Sequence, residues 1–231
     1  MNNSERLAYL EALGVDVFAF RSRQSVAESA IEVRESSPAP ADIRLLAWPE
    51  LQQAVASCTR CALHQSRTQT VFGVGNQQAE WMIIGEAPGA EEDQRGEPFV
   101  GRAGKLLDEM LRAVNLSRDS VFICNILKCR PPGNRDPAAV EAAACRDYLE
   151  RQIELVSPRL ILAVGRIAAQ QLLGSDAPLA RLRGTPHRLT EAGIPLIVTY
   201  HPAYLLRKPT EKRKAWQDLC LAQQVMRERA A

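Results

Sequence analysis

One stretch of the chain, from Trp81 to Leu111, has the residue order of a ligand pocket. The short apolar run that begins at Trp81 stops at a glycine and Glu86, which predicts a buried strand delivering a carboxylate to its carboxyl end. Two turns rich in glycine and proline follow, and they carry Phe99. A carboxylate at a strand end, glycines that let backbone approach a ligand, and a ring on a turn together predict a pocket for a flat molecule.

Four of the six cysteines form a second group of residues that could do chemistry. Cys58 and Cys61 make a Cys-x-x-Cys pair, Cys129 follows in Lys-Cys-Arg-Pro-Pro, and Cys145 comes one predicted helix later. Four thiolates can hold a zinc ion or an iron–sulfur cluster, and this spacing does not choose between the two. The other two cysteines fall inside a predicted strand and a predicted helix, and we interpret them as ordinary buried residues: Cys124 and Cys220.

Strands and helices that alternate along the chain are needed to position these residues. Apolar runs predict strands, whereas amphipathic or capped stretches predict helices. The predicted strands are 81–84, 120–125, 159–164 and 195–200. The predicted helices are 48–57, one beginning near Arg102, 137–156, 165–173, and 210–229 with Thr210 as its cap.

This alternation predicts an α/β fold with three layers, in which helices cover both faces of a central four-stranded parallel sheet. Ligands of such sheets bind outside the carboxyl ends of the strands. Glu86, Asn125, Gly165 and His201 each fall at a predicted strand end. We therefore expect these four residues at one edge of the sheet.

The first 45 residues differ in composition from the rest. A short amphipathic helix is predicted for residues 4–13, and Ser36-Ser-Pro-Ala-Pro40 is typical of linkers. We predict a helical appendage at 1–21, a flexible linker at 22–45 and the main domain at 46–231.

Four ordered motifs within residues 48–228 resemble those of the family 4 uracil-DNA glycosylases. They are Gly85-Glu-Ala-Pro-Gly89 with Glu92-Asp93 and Pro98-Phe-Val-Gly101, Asn125-Ile-Leu-Lys-Cys-Arg-Pro-Pro132, Cys145, and His201-Pro-Ala-Tyr-Leu-Leu-Arg207. The resemblance implies the fold of that family and a DNA repair enzyme. Such an enzyme flips uracil out of single- or double-stranded DNA and hydrolyses its N-glycosidic bond, leaving an abasic site.

The resemblance also implies roles for the matching residues. Phe99 would stack on the base, and the Asn125 amide would read its polar edge, since it offers one donor and one acceptor. His201 would donate to the leaving base anion, while Glu86 would stabilise the cationic sugar or orient a water. The other residues of the predicted uracil site lie in the same motif: Ala87, Pro88, Gly89 and Glu92.

Three points around the first motif stay open at this stage. Backbone N–H groups at Ala87 and Gly89 are candidates to extend the anion site. The most active uracil-DNA glycosylases carry an aspartate where this chain has Ala87, so the group that activates water is undefined. Glu92 has two interpretations: it contacts the base and excludes the methyl group of thymine, or it caps the following turn.

DNA contacts are predicted for Tyr204, Leu206 and Arg207. An apolar wedge, Leu206 in preference to Leu205, would fill the gap left by the flipped nucleotide, and Arg207 would hold a phosphate. From His201 onward, seven Lys or Arg residues against three acidic ones leave a charge of +4. This excess suits a phosphate backbone, although a solvated helix face explains such a run equally well.

The resemblance favours a structural [4Fe–4S] cluster on Cys58, Cys61, Cys129 and Cys145. The net charge of +2 is nearly neutral, and no apolar run approaches the length of a membrane span. The first residues lack the basic segment followed by an apolar segment that is typical of a secretory signal. These features predict a cytoplasmic protein without a membrane partner, and we expect a monomer.

An alternative function keeps the pocket but omits turnover. In this interpretation the chain is an iron–sulfur DNA-binding protein that senses or traps uracil. Related proteins that trap uracil sites carry a basic loop with a reactive histidine. Here the corresponding region, about 181–192, is short, and His187 lies in it without that basic loop. Turnover is therefore favoured.

Overall fold

A computed structural model describes residues 5, 12, 42–189 and 193–229. The predicted N-terminal appendage and most of the linker lie outside the described residues; Glu5 and Ala12 are both helical. The compact unit Ala41–Ala231 contains all the residues discussed below. Among the described helices, none combines the length and the apolar character needed to cross a membrane.

Six strands form one sheet in the order β1-β3-β2-β4-β6-β5. The central four strands are parallel, as predicted, whereas the two-residue edge strands β1 and β5 pair antiparallel with their neighbours. The edge strands are too short to produce a periodic apolar pattern, which is why the sequence did not predict them. The strands are β1 Val74–Gly75, β2 Trp81–Gly85, β3 Phe122–Asn125, β4 Leu160–Val164, β5 His187–Arg188 and β6 Pro195–Thr199.

Helices cover both faces of this sheet. They are α1 Trp48–Ala56, α2 Ala90–Arg95, α3 Arg102–Arg112, α4 Ala139–Val156, α5 Arg166–Leu173, α6 Leu179–Leu182, α7 Pro202–Arg207 and α8 Lys212–Glu228. Short 3₁₀ helices lie at Ile43–Leu45, Ala62–Gln65, Pro132–Asn134 and Pro209–Glu211.

The core has two halves because each strand alternates its side chains between the two faces. On β2, Met82 and Ile84 pack with α1, α4 and α5, whereas Trp81 and Ile83 pack with α3, α7 and α8. Every residue of β2 is buried, as expected of a parallel strand covered on both faces. The predicted three-layer α/β/α fold is therefore confirmed.

The start of α8 differs from the prediction. Thr210 does not cap this helix; it lies in the 3₁₀ helix Pro209–Glu211, and α8 begins at Lys212. The 3₁₀ helix runs directly into α8, and Pro209 suits its first position because proline has a fixed φ and needs no N–H there.

Candidate active site

A pocket of about 440 Å³ opens at the edge of the sheet where the parallel strands end. Its volume falls within the usual range for small-molecule sites. Ten of the residues predicted to bind uracil or DNA line it: Glu86, Ala87, Pro88, Gly89, Glu92, Phe99, Asn125, His201, Tyr204 and Arg207. Five lining residues were not predicted from the sequence: Ala103, Pro131, Asn134, Arg135 and Ala203.

Asn125 ends β3 and presents an unsatisfied acceptor beside this pocket. Its side chain is 1% exposed, and no donor in the described part of the chain bonds to its Oδ1. A Cβ on Gly85 would lie 2.4 Å from that oxygen, so only glycine fits beneath it. Leaving a buried acceptor unpaired costs about 1–3 kcal/mol, which indicates an atom kept for a ligand.

Phe99 is held in a left-handed backbone conformation, with φ of 54°. Arg118 fixes this turn, because its guanidinium donates to the carbonyl of Phe99 at 3.1 Å and to that of Pro98 at 2.7 Å. The first turn of α3 also lies very close, since a Cβ on Gly104 would come within 1.7 Å of the Phe99 carbonyl oxygen. The ring is thereby placed against His201, with 5.6 Å between ring centroids and 29° between planes.

His201 caps the N-terminus of α7, where the backbone N–H of Ala203 donates to its Nδ1 at 3.2 Å. Nδ1 is therefore unprotonated, and Nε2 carries the proton of the neutral ring. The pKa of His201 is lowered to about 4. Burial is the main cause, the charge of Arg207 contributes, and Glu92 opposes the shift. At neutral pH this ring is an uncharged hydrogen-bond donor.

Glu86 follows β2 directly and is partly buried. Burial raises the pKa of this carboxyl group; Asp136 adds to the increase and Arg166 opposes it. Arg166 and Asp136 form an ion pair at 2.6 Å. Desolvation makes the ionised form costly, so a developing positive charge nearby would be strongly attracted to it.

Glu92 bonds to the backbone of the two loops that form the pocket. Its Oε2 accepts from the N–H of Gly89 at 3.1 Å, and its Oε1 accepts from Val100 at 3.0 Å and Gly101 at 3.3 Å. These contacts agree with the capping interpretation: Glu92 accepts from the Gly89 N–H at the start of α2 and also from the Val100 and Gly101 N–H groups of the following turn. The Gly89 N–H is therefore occupied, which leaves Ala87 as the candidate backbone donor of that loop.

A buried lysine supports Asn125 from behind. Lys128 donates to the carbonyl oxygen of Asn125 at 2.8 Å and to Oε1 of Gln152 at 2.6 Å. Gln152 in turn donates to the Phe72 carbonyl at 2.9 Å. The sequence did not predict this network, although a lysine between Leu127 and Cys129 was a possible signal.

The two candidate wedge leucines are distinguished by burial. Leu205 is 1% exposed and packs in the core, whereas Leu206 is 36% exposed and faces outward next to the pocket residue Arg207. The pocket also contains a second guanidinium, that of Arg135, which was not predicted. It donates to the Glu141 carboxylate, with one contact at 2.9 Å.

The four predicted cysteine ligands line a second, smaller cavity: Cys58, Cys61, Cys129 and Cys145. The other two cysteines do not line it, and all six thiols are free. Arg67 donates to the Cys129 sulfur at 3.1 Å. Within the described residues, no three His, Cys, Asp or Glu side chains are arranged to hold a metal ion.

Four thiols can hold a single zinc ion or an iron–sulfur cluster, and the two groups need different sulfur spacings. Sulfur ligands of one tetrahedral zinc ion lie roughly 4 Å apart, given Zn–S bonds of about 2.3 Å. An iron–sulfur cubane needs four thiolates around a wider space. Four thiols around one cavity, with Arg67 donating to a sulfur, therefore fit the chemistry of a cluster.

The fold and the pocket belong to one class of protein. The model of the uracil DNA glycosylase superfamily matches residues 72–220. The chain is 45% identical to a type-4 uracil-DNA glycosylase of Archaeoglobus fulgidus over 175 residues, which are 73% of this chain and 88% of that protein. It is 45% identical to that of Thermotoga maritima over 158 residues (68% and 82%) and 43% identical to that of Pyrobaculum aerophilum over 178 residues (74% and 91%). The chain therefore belongs to the type-4 uracil-DNA glycosylase family, which confirms the resemblance stated from its motifs.

Proposed function

We propose that this protein removes uracil from DNA by hydrolysing the bond between the base and deoxyribose, leaving an abasic site for base excision repair. Membership of the type-4 family supports the reaction. The observation that carries it is the unpaired, buried Oδ1 of Asn125 in a pocket also lined by Phe99 and His201.

The Asn125 amide selects the base. Uracil presents a donor at N3 and an acceptor at O4, whereas cytosine presents the reverse order. The Oδ1 of Asn125 accepts from N3–H, and the amide nitrogen donates to O4. Gly85 keeps this amide close to the Phe99 ring, so hydrogen bonding and stacking act on the same base.

The chemical step separates a base anion from a sugar cation. His201 donates from Nε2 to the anion as it forms, and its neutral state avoids protonating the substrate in advance. Ala87 lines the same pocket, which supports its backbone N–H as a second donor to the anion. The Glu86 carboxylate stabilises the cationic sugar, and a water molecule then adds to the sugar carbon that carried the base and loses a proton, which leaves the abasic site.

The exposed end of α7 engages the DNA. Leu206 enters the base stack at the gap left by the extruded nucleotide, and Arg207 holds a neighbouring phosphate. The exposure of Leu206, and the position of Tyr204 and Arg207 on the pocket, support this arrangement. The monomeric state and the cytoplasmic location stay predictions from the sequence.

The four cavity-lining cysteines would hold a [4Fe–4S] cluster with a structural role. When bound, the cluster would supply a cross-link between the segment after α1, the loop after β3 and helix α4. Arg67 stabilises the negative charge of the Cys129 thiolate through its hydrogen bond at 3.1 Å.

The test is abasic-site formation on matched single-stranded oligonucleotides that carry uracil, thymine or cytosine at one position. We expect product only from the uracil strand, and in molar excess over enzyme. Product that stops at one equivalent and stays covalently attached would favour trapping instead. Trapping is not supported by His187, which lies in β5, contacts the Leu182 carbonyl at 2.7 Å, and does not line the pocket.

A further inference from the structure

Helix α8 carries an exposed aromatic side chain among basic residues. Trp216 is 45% exposed, whereas the indole of Trp81 is only 6% exposed. Lys212 and Arg213 lie four and three residues before Trp216, so the three side chains share one face of the helix. The acid of this turn, Glu211, pairs with Lys214 at 2.8 Å. Within residues 42–189 and 193–229, no carboxylate pairs with Lys212 or Arg213.

This surface continues from the rim of the active-site pocket. Arg207 lines the pocket, and the Lys208 N–H donates to the Tyr204 carbonyl at 2.9 Å as the chain turns toward α8. The five residue-to-residue steps from Arg207 to Lys212 span at most roughly 18 Å, even if fully extended. Four helical residues add about 6 Å to reach Trp216. The whole span is at most about 24 Å, or about seven nucleotides of one DNA strand.

Charge identifies the kind of partner. Between residues 207 and 214 there are five Lys or Arg side chains and one acidic side chain, Glu211, which is already paired. An exposed indole beside free cations is the arrangement that stacks a base and contacts adjacent phosphates. A polyanionic strand that leaves the pocket past Arg207 would meet this face next.

We propose that Trp216, together with Lys212 and Arg213, binds the DNA strand flanking the uracil. One unpaired base stacks on the indole, and the two cations contact neighbouring phosphates. The inference rests on the proposed function, because the uracil pocket anchors the other end of the bound strand. It assigns a second, sequence-independent contact to the substrate.

The first test measures the KM for uracil release from single-stranded oligonucleotides whose flanks are lengthened one nucleotide at a time on either side. For the wild type, KM should fall once the flank on one side reaches Trp216, within about seven nucleotides. On the long-flank substrates, the KM of Trp216→Ala should be at least about fivefold higher than that of the wild type, and Trp216→Phe should keep most of the decrease in KM. Leu45→Ala, which changes a residue that is 79% exposed, is the matched control and should behave as the wild type.

Three outcomes would overturn the proposal. The KM of Trp216→Ala could fall with flank length as much as that of the wild type, or it could be raised by the same factor on the shortest and the longest substrates. The variant could also change only the oligomeric state in light scattering. The last outcome would assign the face to a protein contact. Circular dichroism shows whether each variant is folded.

A second test separates this surface from the proposed function. Thymine-only oligonucleotides should quench the fluorescence of the wild type but not that of Trp216→Phe, because Trp81 is buried and Trp48 partly buried. Quenching without any uracil release would refute the proposed function and keep the surface. Uracil release with neither quenching nor flank dependence would refute the surface alone.

Discussion

Asn125 shows how much of the site depends on single atoms. Its buried Oδ1 has no hydrogen-bond partner among the described residues, Lys128 donates to its backbone carbonyl, and Gly85 leaves room for its side chain. A fixed amide has one orientation, so the order of its donor and acceptor becomes a property of the pocket. In the proposed function, selectivity for uracil over cytosine follows from that order.

Replacing Asn125 by Asp should therefore abolish selective cleavage without unfolding the protein. The carboxylate cannot donate to O4, and a good amide–base pair is worth about 1–3 kcal/mol, or roughly 5- to 150-fold in rate. Single-turnover cleavage of uracil and cytosine strands measures the effect. Asn76→Asp changes an exposed turn and should leave both rates unaltered. Native cleavage of uracil by Asn125→Asp would refute the edge-reading role.

The pH dependence of the reaction should report Glu86. Burial raises its pKa, and in the proposed mechanism the ionised form is the one that stabilises the sugar cation. The single-turnover rate should therefore be full above this raised pKa and fall about tenfold per pH unit below it. His201 adds no inflection in that range, since its pKa is about 4. Glu86→Gln should remove the inflection, whereas Glu80→Gln, at the exposed other end of β2, should retain it.

The raised pKa of Glu86 also predicts how stability depends on pH. As pH rises through this pKa, the activity should increase, whereas the contribution of Glu86 to stability should decrease. A carboxyl group whose pKa is raised by folding contributes stability at low pH and loses it as pH rises through the folded-state pKa. Glu86→Gln should therefore have a higher melting temperature than the wild type at neutral pH, and the difference should vanish in acid. Equal melting temperatures at neutral pH would show that Glu86 is not desolvated.

At the scale of elements, the pocket depends on how closely α3 approaches the turn before it. Gly104 lies against the Phe99 carbonyl oxygen, and Arg118 binds the carbonyl groups of Pro98 and Phe99 from the other side. The left-handed conformation of Phe99 is maintained by both contacts. The stacking ring is therefore positioned by backbone packing.

Gly104→Ala should destabilise the protein, although a helical Gly→Ala change normally stabilises by up to about 1 kcal/mol. The added Cβ would lie 1.7 Å from the Phe99 carbonyl oxygen, so the turn must shift, at a cost of about 1–3 kcal/mol. Thermal unfolding and single-turnover cleavage should both show a loss. Glu109→Ala, an exposed change on the same helix, is the control. A stabilised, fully active Gly104→Ala variant would contradict this account of the turn.

At the scale of the whole molecule, the cysteine cavity joins parts of the chain that are distant in sequence. Cys58 and Cys61 follow α1, Cys129 follows β3, and Cys145 lies on α4. Asn125 lies only four residues before Cys129, so the cavity and the pocket share one loop. A group bound by the four thiols would stabilise the pocket as well as the fold.

Protein purified without oxygen should be brown and contain about four iron atoms per chain. Stripping the metal should lower the melting temperature and the cleavage rate together, because the loop after β3 loses its anchor. Cys145→Ser should lack iron, whereas Cys220→Ser, outside the cavity, should retain it. A colourless, fully active preparation with one zinc ion per chain would refute the cluster.

The amino-acid sequence by itself determined the four parallel strands of the sheet and ten of the residues that line the pocket. The apolar runs at 81–84, 159–164 and 195–200 leave no polar face, so each of these strands must be covered on both sides. Parallel strands end at the same edge, and this places Glu86, Asn125 and His201 together before any contact is known.

Only the tertiary structure decided which atoms are free to act. It showed that Glu92 bonds to the amides of Gly89 and Val100, that Lys128 supports Asn125, and that Leu206 is the exposed leucine. Such facts depend on close approach between segments that are separate in the chain. The local hydrophobic pattern carries no information about these contacts, because they form only when the helices and the sheet pack against each other.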